Sequence, residues 1–212
     1  LEYGVISESF AETRQAHETL PDLAANLHEG RVIRVPDRDF DALAATASPQ
    51  GILCVMRRPD NVFPEHLTDP FSLILDRVCD PGNVGTILRT AWAVGLGSVW
   101  LTKGCADPFS PKAIRSGMGA QFGIQIISAP DLRETGRMLS DRGHAPLYLA
   151  LPSGGVSCFD NAFRLLGGAL AVGNEAQGIL EQTLGPHVSI PMPGRAESLN
   201  VSQAATVLLL EA

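Results

Sequence analysis

No stretch of this 212-residue chain approaches the ~20 consecutive apolar residues that a membrane-spanning helix requires. With 45% hydrophobic residues it can nevertheless bury a real core, which predicts a soluble globular protein. No charged-then-apolar leader with a small-residue cleavage site opens the sequence, so nothing points to export and the expected compartment is the cytoplasm. The first residue is Leu rather than Met, which suggests a processed chain or one whose beginning is not included. Cysteine is scarce: Cys54, Cys79, Cys105 and Cys158 are widely spaced, with no C-x-x-C pair and no neighbouring His to complete a zinc site. No metal is expected, and the thiols are read as free and mostly buried in a reducing compartment. His17, His28, His66, His144 and His187 are equally scattered and are read as surface or locally hydrogen-bonded residues. An excess of basic charge is also missing. Lys and Arg number 16 against 23 Asp and Glu, a net charge of −7, which argues against a protein that coats nucleic acid non-specifically. RNA recognition would need a local basic patch. No G-x-G-x-x-G follows a strand, since Gly95 and Gly97 are followed by Trp100 where a third Gly should stand, and no G-x-x-x-x-G-K-[ST] occurs. These absences count against a dinucleotide-binding dehydrogenase and a phosphate-loop enzyme.

What is present is an alternation of strand and helix patterns. From Leu1 to about His66, VISESF reads as a strand end and AETRQAHETLPDLAANL as a helix broken near Pro21. RVIRVP follows as a strand, DFDALAAT as a helix entered through Asp39, and GILCVMRR as a strand ending at Pro59. Residues 1–66 therefore form a small α/β domain. The segment RRPDNVFPEHLTDP, with three prolines, reads as a linker. Residues 67–212 then run strand, helix, strand repeatedly: FSLILDRV, VGTILRTAWAV, SVWL, SPKAIRSGMGA, GIQIIS, DLRETGRMLSDRG, LYLAL, GALAVG and VSIPM. That order predicts a parallel sheet with helices on both faces and ligands at the C-terminal ends of its strands.

The last stretch, HVSIPMPGRAESLNVSQAATVLLLEA, passes from strand through a polar loop into a helical pattern that runs to the final residue. Ser198 is the expected N-cap, its hydroxyl accepting from the N–H of Asn200 or Val201. Val201, Ala204, Ala205, Leu208 and Ala212 share one apolar face, widened by Val207, Leu209 and Leu210, so the helix should be mostly buried. Taken alone, this is an ordinary capped C-terminal helix.

Three constellations carry polar chemistry. In DPGNVGTILRTA, a tight Asp80-Pro81-Gly82-Asn83 turn opens a helix whose packed face is Val84, Ile87, Leu88 and Ala91, and Arg89 lies off that face. An Arg near a helix start, beside a strand's C-terminal edge, can grip a phosphate with a planar fork of donors. In KGCADPFSPKAIRSGMGAQF, Lys103, Lys112 and Arg115 alternate with Phe109 and Phe122, the residue types that contact phosphates and stack on bases. In LGGALAVGNEAQGI, an apolar strand runs into Gly173-Asn174-Glu175, with Gly178 shortly after, where glycines let the backbone approach a ligand closely. Each alone equally fits a turn-forming Asn, solvated charges and a flexible loop.

Together, DPGNVGTILRTA, GNEAQG and IPMPGRAESLNVSQAA resemble, in order and spacing, the three motifs of the SpoU (TrmH-like) RNA 2′-O-ribose methyltransferases within the SPOUT class. The resemblance covers roughly the last two thirds of the chain. It implies a C-terminal deep trefoil knot, S-adenosylmethionine as cofactor, a homodimer paired through the knotted domain, and RNA as partner, ribosomal ahead of transfer RNA. In such enzymes the region before the catalytic domain resembles a ribosomal-protein-like RNA-binding domain. Here that domain looks short, its opening helix and first strand not being visible. Carried over residue by residue, the catalytic group would be Arg89, Asn83, Glu175, Ser198 and Asn200. The cofactor would be held at Leu149, Ala150, Gly173, Asn174, Gly178, Ile190, Met192 and Leu199, and RNA at Lys103, Lys112 and Arg115. From a different class, a non-catalytic RNA-binding or ribosome-assembly factor on the same fold is the alternative. Retention of Asn83, Arg89, Glu175, Ser198 and Asn200 together speaks against it.

Overall fold

The computed structural model describes residues 1–27, 31–44 and 46–212. His28, and Ala45 of the expected DFDALAAT helix, lie outside the described residues. The chain divides into two compact units, Leu1–Asp60 and Asn61–Ala212. The division falls before the expected boundary near His66, because Asn61 already belongs with the second unit: its side chain donates to the carbonyl of Ser128 and accepts from that residue's N–H.

The first unit is a three-stranded sheet with order β2-β1-β3, formed by β1 (Tyr3–Ser7), β2 (Val32–Val35) and β3 (Ile52–Val55). β1 runs parallel to β2 and antiparallel to β3. Helices α1 (Glu8–Ala11), α2 (Arg14–Asn26) and α3 (Asp37–Leu43) accompany it. Pro21 does not break α2, contrary to its usual effect. The face carrying Ala16 and Leu20 packs against Ile6 and Phe10, and that burial holds the helix through the one hydrogen bond Pro21 cannot donate. α3 starts at Asp37 rather than Asp39, with Pro36 at its cap.

The second unit is a seven-stranded sheet with order β6-β5-β4-β9-β7-β10-β8 in which every pairing is parallel. Its strands are β4 (Ser72–Asp76), β5 (Ser98–Thr102), β6 (Gln125–Ala129), β7 (Leu147–Ala150), β8 (Val156–Ser157), β9 (Ala169–Gly173) and β10 (His187–Ser189). Its α-helices are α4 (Pro81–Ala93), α5 (Pro111–Gly117), α6 (Leu132–Ser140) and α7 (Val201–Leu210). Alternate residues of the central strands feed two separate cores. Leu73, Leu75, Val99, Leu170 and Val172 pack with Val84, Ile87 and Leu88 of α4 and with Ala205, Leu208 and Leu209 of α7. Ile74, Trp100, Leu149, Ala169 and Ala171 face the other way, onto Leu132 and Leu139 of α6. Helices therefore cover both faces, as continuous apolar strands demand. Among the described residues no helix is long and apolar enough to cross a membrane.

α7 ends at Leu210, so Ala212 lies outside it, and Leu210 itself is exposed. The four cysteines are free, yet only Cys158 is buried; Cys54 and Cys79 are exposed, against the expectation of mostly buried thiols.

Candidate active site

The site is assembled at the C-terminal ends of β4, β9, β7 and β10, where a parallel sheet splays its connections apart. β4 stops at Asp76, and a short loop leads to Asp80, whose carboxylate accepts from the N–H of Asn83 and caps α4. Pro81 then sits in the first turn, where its missing N–H costs nothing. The Asn83 side chain is left to bond two other loops.

Asn83 Nδ2 donates to Glu175 Oε1 at 2.9 Å, and Asn83 Oδ1 accepts from Asn200 Nδ2 at 3.0 Å. Asn200 is the N-cap of α7, its Oδ1 accepting from the N–H and the hydroxyl of Ser202. The cap is therefore Asn200 and not Ser198, because α7 begins two residues later than the sequence pattern suggested. Glu175 also accepts from the backbone N–H groups of Cys79 (3.1 Å) and Asp80 (3.1 Å). Burial opposes ionisation of Glu175, but the Asn83 side chain and these N–H donors outweigh it and hold the carboxyl below its ordinary range. One carboxylate and two carboxamides thus join loops that are 92 and 117 residues apart in sequence.

Beside this junction lies a cleft of about 550 Å³, within the size of small-molecule sites. Ala150, Gly173, Asn174, Gly178, Ile190, Met192 and Leu199 line it, as do Glu175, Ser198 and Asn200. Leu149 does not. It is fully buried in the core against α6, because adjacent strand residues point to opposite faces and Ala150 takes the outward place. Sequence reasoning missed Gln177 and Gln182, and it assigned all of the α7 face to the core. α7 in fact divides: Val201, Ala204 and Leu208 border the cleft while Ala205 and Leu209 are buried. A helical stripe looks the same in sequence whether it meets a core or a ligand cleft. Gln177 stood inside the quoted GNEAQG segment, and only its polarity marked it.

Arg89 is not among the residues that line the cleft. It is exposed on α4, about 240° around the helix from Asn83, and makes no hydrogen bond or ion pair among the described residues. Of the basic residues, Lys112 Nζ is engaged by Asp80 Oδ2 at 2.7 Å, and this contact together with the Asn83 N–H holds the Asp80 carboxyl below its ordinary range. Lys103 and Arg115 are exposed, Arg115 in the last turn of α5.

The model of the SpoU rRNA Methylase family matches residues 70–210, a span that holds all three linked loops. The chain belongs to the SpoU rRNA Methylase family. Among the SpoU relatives, mouse rRNA methyltransferase 3, mitochondrial, is 30% identical over the whole of this chain, which spans 63% of that protein's length. The Bacillus subtilis 23S rRNA (guanosine(2553)-2′-O)-methyltransferase RlmP is 35% identical over 80% of this chain and 67% of its own. In structure, the SpoU methyltransferase AviRb from Streptomyces viridochromogenes in complex with the cofactor AdoMet superposes with a TM-score of 0.82. That match has 27% identity and covers 99% of this chain and 81% of AviRb.

Proposed function

We propose that this SpoU-family chain is an S-adenosylmethionine-dependent methyltransferase that modifies a ribose 2′-OH in structured RNA, ribosomal RNA ahead of transfer RNA. The single observation carrying this reading is the Glu175–Asn83–Asn200 junction at the mouth of an apolar-backed cleft. A non-catalytic RNA-binding factor would have no use for an ionised carboxylate held by three donors beside a cofactor-sized space. The cleft residues fit the cofactor. Gly178 has φ +63°, and a Cβ built there would meet nothing within 4 Å, so the loop leaves open space for a ligand. Val172, Ile179 and Leu208 supply an apolar floor.

S-adenosylmethionine, when bound, supplies an electrophilic methyl on a sulfonium. In-line displacement by a sugar hydroxyl requires that oxygen, carbon and sulfur be aligned and that the hydroxyl lose its proton. Glu175, through its ionised carboxylate, favours a cation in the cleft and fixes Asn83. Asn83 and Asn200 brace each other, and Ser198 and Asn200 face the incoming ribose. Arg89 is assigned to the phosphate or ribose of the target nucleotide, as a fixed cation that moves the proton only through a relay. Lys103, Lys112 and Arg115 are assigned to flanking phosphates. The C-terminal helix is proposed to pass through a loop in a deep trefoil knot, and two copies are proposed to pair through this unit, in the cytoplasm. The chain's free thiols suit that compartment.

The test is transfer of labelled methyl from S-adenosylmethionine to ribosomal RNA, with the product mapped as a 2′-O-methyl nucleotide. Arg89→Ala should lower turnover by about 10²-fold while cofactor affinity stays unchanged. Wild-type turnover in that variant would remove Arg89 from the mechanism.

A further inference from the structure

Arg77, the residue after β4, belongs to none of the three motif assignments, yet its side chain makes four hydrogen bonds at the site. Its φ is +55°, a left-handed conformation that a non-glycine residue adopts only when its surroundings impose it. The surroundings are on both sides. Its own N–H donates to Thr102 Oγ1 and its carbonyl accepts from Asn174 Nδ2. The turn folds the guanidinium back onto the preceding residue, where Nε and Nη2 both donate to the buried carboxylate of Asp76, itself bonded to Thr102 Oγ1. The remaining donors reach across to the cleft loop. Nη2 donates to the carbonyl of Gly178 at 3.0 Å, and Nη1 to Gln177 Oε1 at 3.1 Å.

The loop held in this way is the one whose backbone lines the cleft; Asn174 braces it from within, its carbonyl accepting from the N–H of Gly178 and its Oδ1 from Ala176 and Gln177, and Glu175 ties it to the start of α4. A guanidinium carries donors and no acceptor, so the amide oxygen of Gln177 must face Arg77. That leaves the Gln177 amino group, on a residue lining the cleft, without a partner among the described residues.

We propose that Arg77 is a positioning residue of the cofactor site: it clamps the 174–178 loop from outside and orients Gln177 so that its amino group donates to an acceptor of S-adenosylmethionine. This rests on the reading of the cleft as an S-adenosylmethionine site. Asp76 holds the guanidinium against the sheet edge, and the left-handed turn is what aims it at the loop after β9. Lysine at this position carries one donor head and cannot serve Asp76, Gln177 and Gly178 together.

The experiment is calorimetric titration of S-adenosylmethionine into the full chain, with amide hydrogen exchange of the 174–179 segment as a second readout. The wild type is measured first; if it binds no S-adenosylmethionine, the proposed function falls and this inference with it. Arg77→Gly suits the left-handed φ while removing the entire side chain, guanidinium included, and should keep a cooperative melting transition. It should weaken binding at least tenfold and speed exchange at the loop. Arg77→Lys should recover part of that affinity. Gln177→Glu keeps an acceptor for Arg77 but removes the donor, so loop exchange should match the wild type while affinity falls about tenfold. Wild-type binding that persists within twofold in Arg77→Gly would overturn the clamp and leave the proposed function standing. The same result in Gln177→Glu would remove Gln177 as the donor.

Discussion

Asn83→Asp is the smallest change that tests the junction, because it replaces one amino group by an oxygen and leaves the shape unaltered. Nδ2 donates to Glu175 Oε1 at 2.9 Å, while Oδ1 still accepts from Asn200 after the change. A hydrogen bond to a charged group contributes about 1.5–3 kcal/mol. Two carboxylates at that separation also repel, by about 4 kcal/mol at 4 Å and an effective dielectric constant of 20. The junction is partly open to water, and screening brings the combined loss to about 2–3 kcal/mol. At about 2–4 °C per kcal/mol for a domain of this size, the melting temperature at pH 8 should fall by about 4–12 °C.

The pH dependence separates this from a general packing defect. In the wild type the Glu175 carboxyl titrates below its ordinary value of 4.5, so its contribution is fully present above about pH 4.5 and is lost as pH falls through the folded value. In the variant the two carboxyls raise each other's affinity for protons. The penalty is then complete above the raised folded value and disappears as pH falls through it. Thermal scans of both proteins between pH 8 and pH 4.5 should show the gap in melting temperature closing on acidification. A gap below 1 °C at pH 8, or one that widens toward acid, would refute the idea that Asn83 holds an ionised Glu175.

Two further substitutions probe the cleft and the core separately. A Cβ at Gly173 would stand 2.6 Å from the backbone carbon of Gly178 and 2.7 Å from the N of Ile179, neither of which can yield, so Gly173→Ala should displace the loop. It should cost about 1–3 kcal/mol in chemical denaturation and weaken S-adenosylmethionine binding, read by calorimetry. Leu149→Ala should cost about 2–5 kcal/mol in the same denaturation experiment, because it empties a fully buried position facing α6. Its cofactor affinity should stay unchanged; a selective loss of binding would return Leu149 to the cleft.

The alternation of apolar strands with amphipathic helices, the Asp80–Asn83 turn into α4 and the polar character of the three loops were all legible in sequence, because local periodicity and turn chemistry act over a few residues. Local signals failed where a distant partner outweighed them. α2 runs through Pro21 because Ala16 and Leu20 are buried against Ile6 and Phe10. α7 is capped by Asn200 because that side chain bonds both the helix's first turn and Asn83, which Ser198 does not. Leu149 and Ala150 are neighbours in the chain, and only the orientation of β7 in the sheet decides which of them meets the cleft. Arg77 gives no sign in the sequence of its left-handed turn, since that conformation is imposed jointly by Asp76, Thr102 and the loop across β9. By itself, then, the sequence determined the elements, their order and the kinds of side chain available for chemistry. Which of those side chains share one electrostatic environment was decided only when a parallel sheet brought the ends of β4, β9, β7 and β10 to a single edge, since residues such as Asn83 and Glu175 have no interaction until the chain between them is folded.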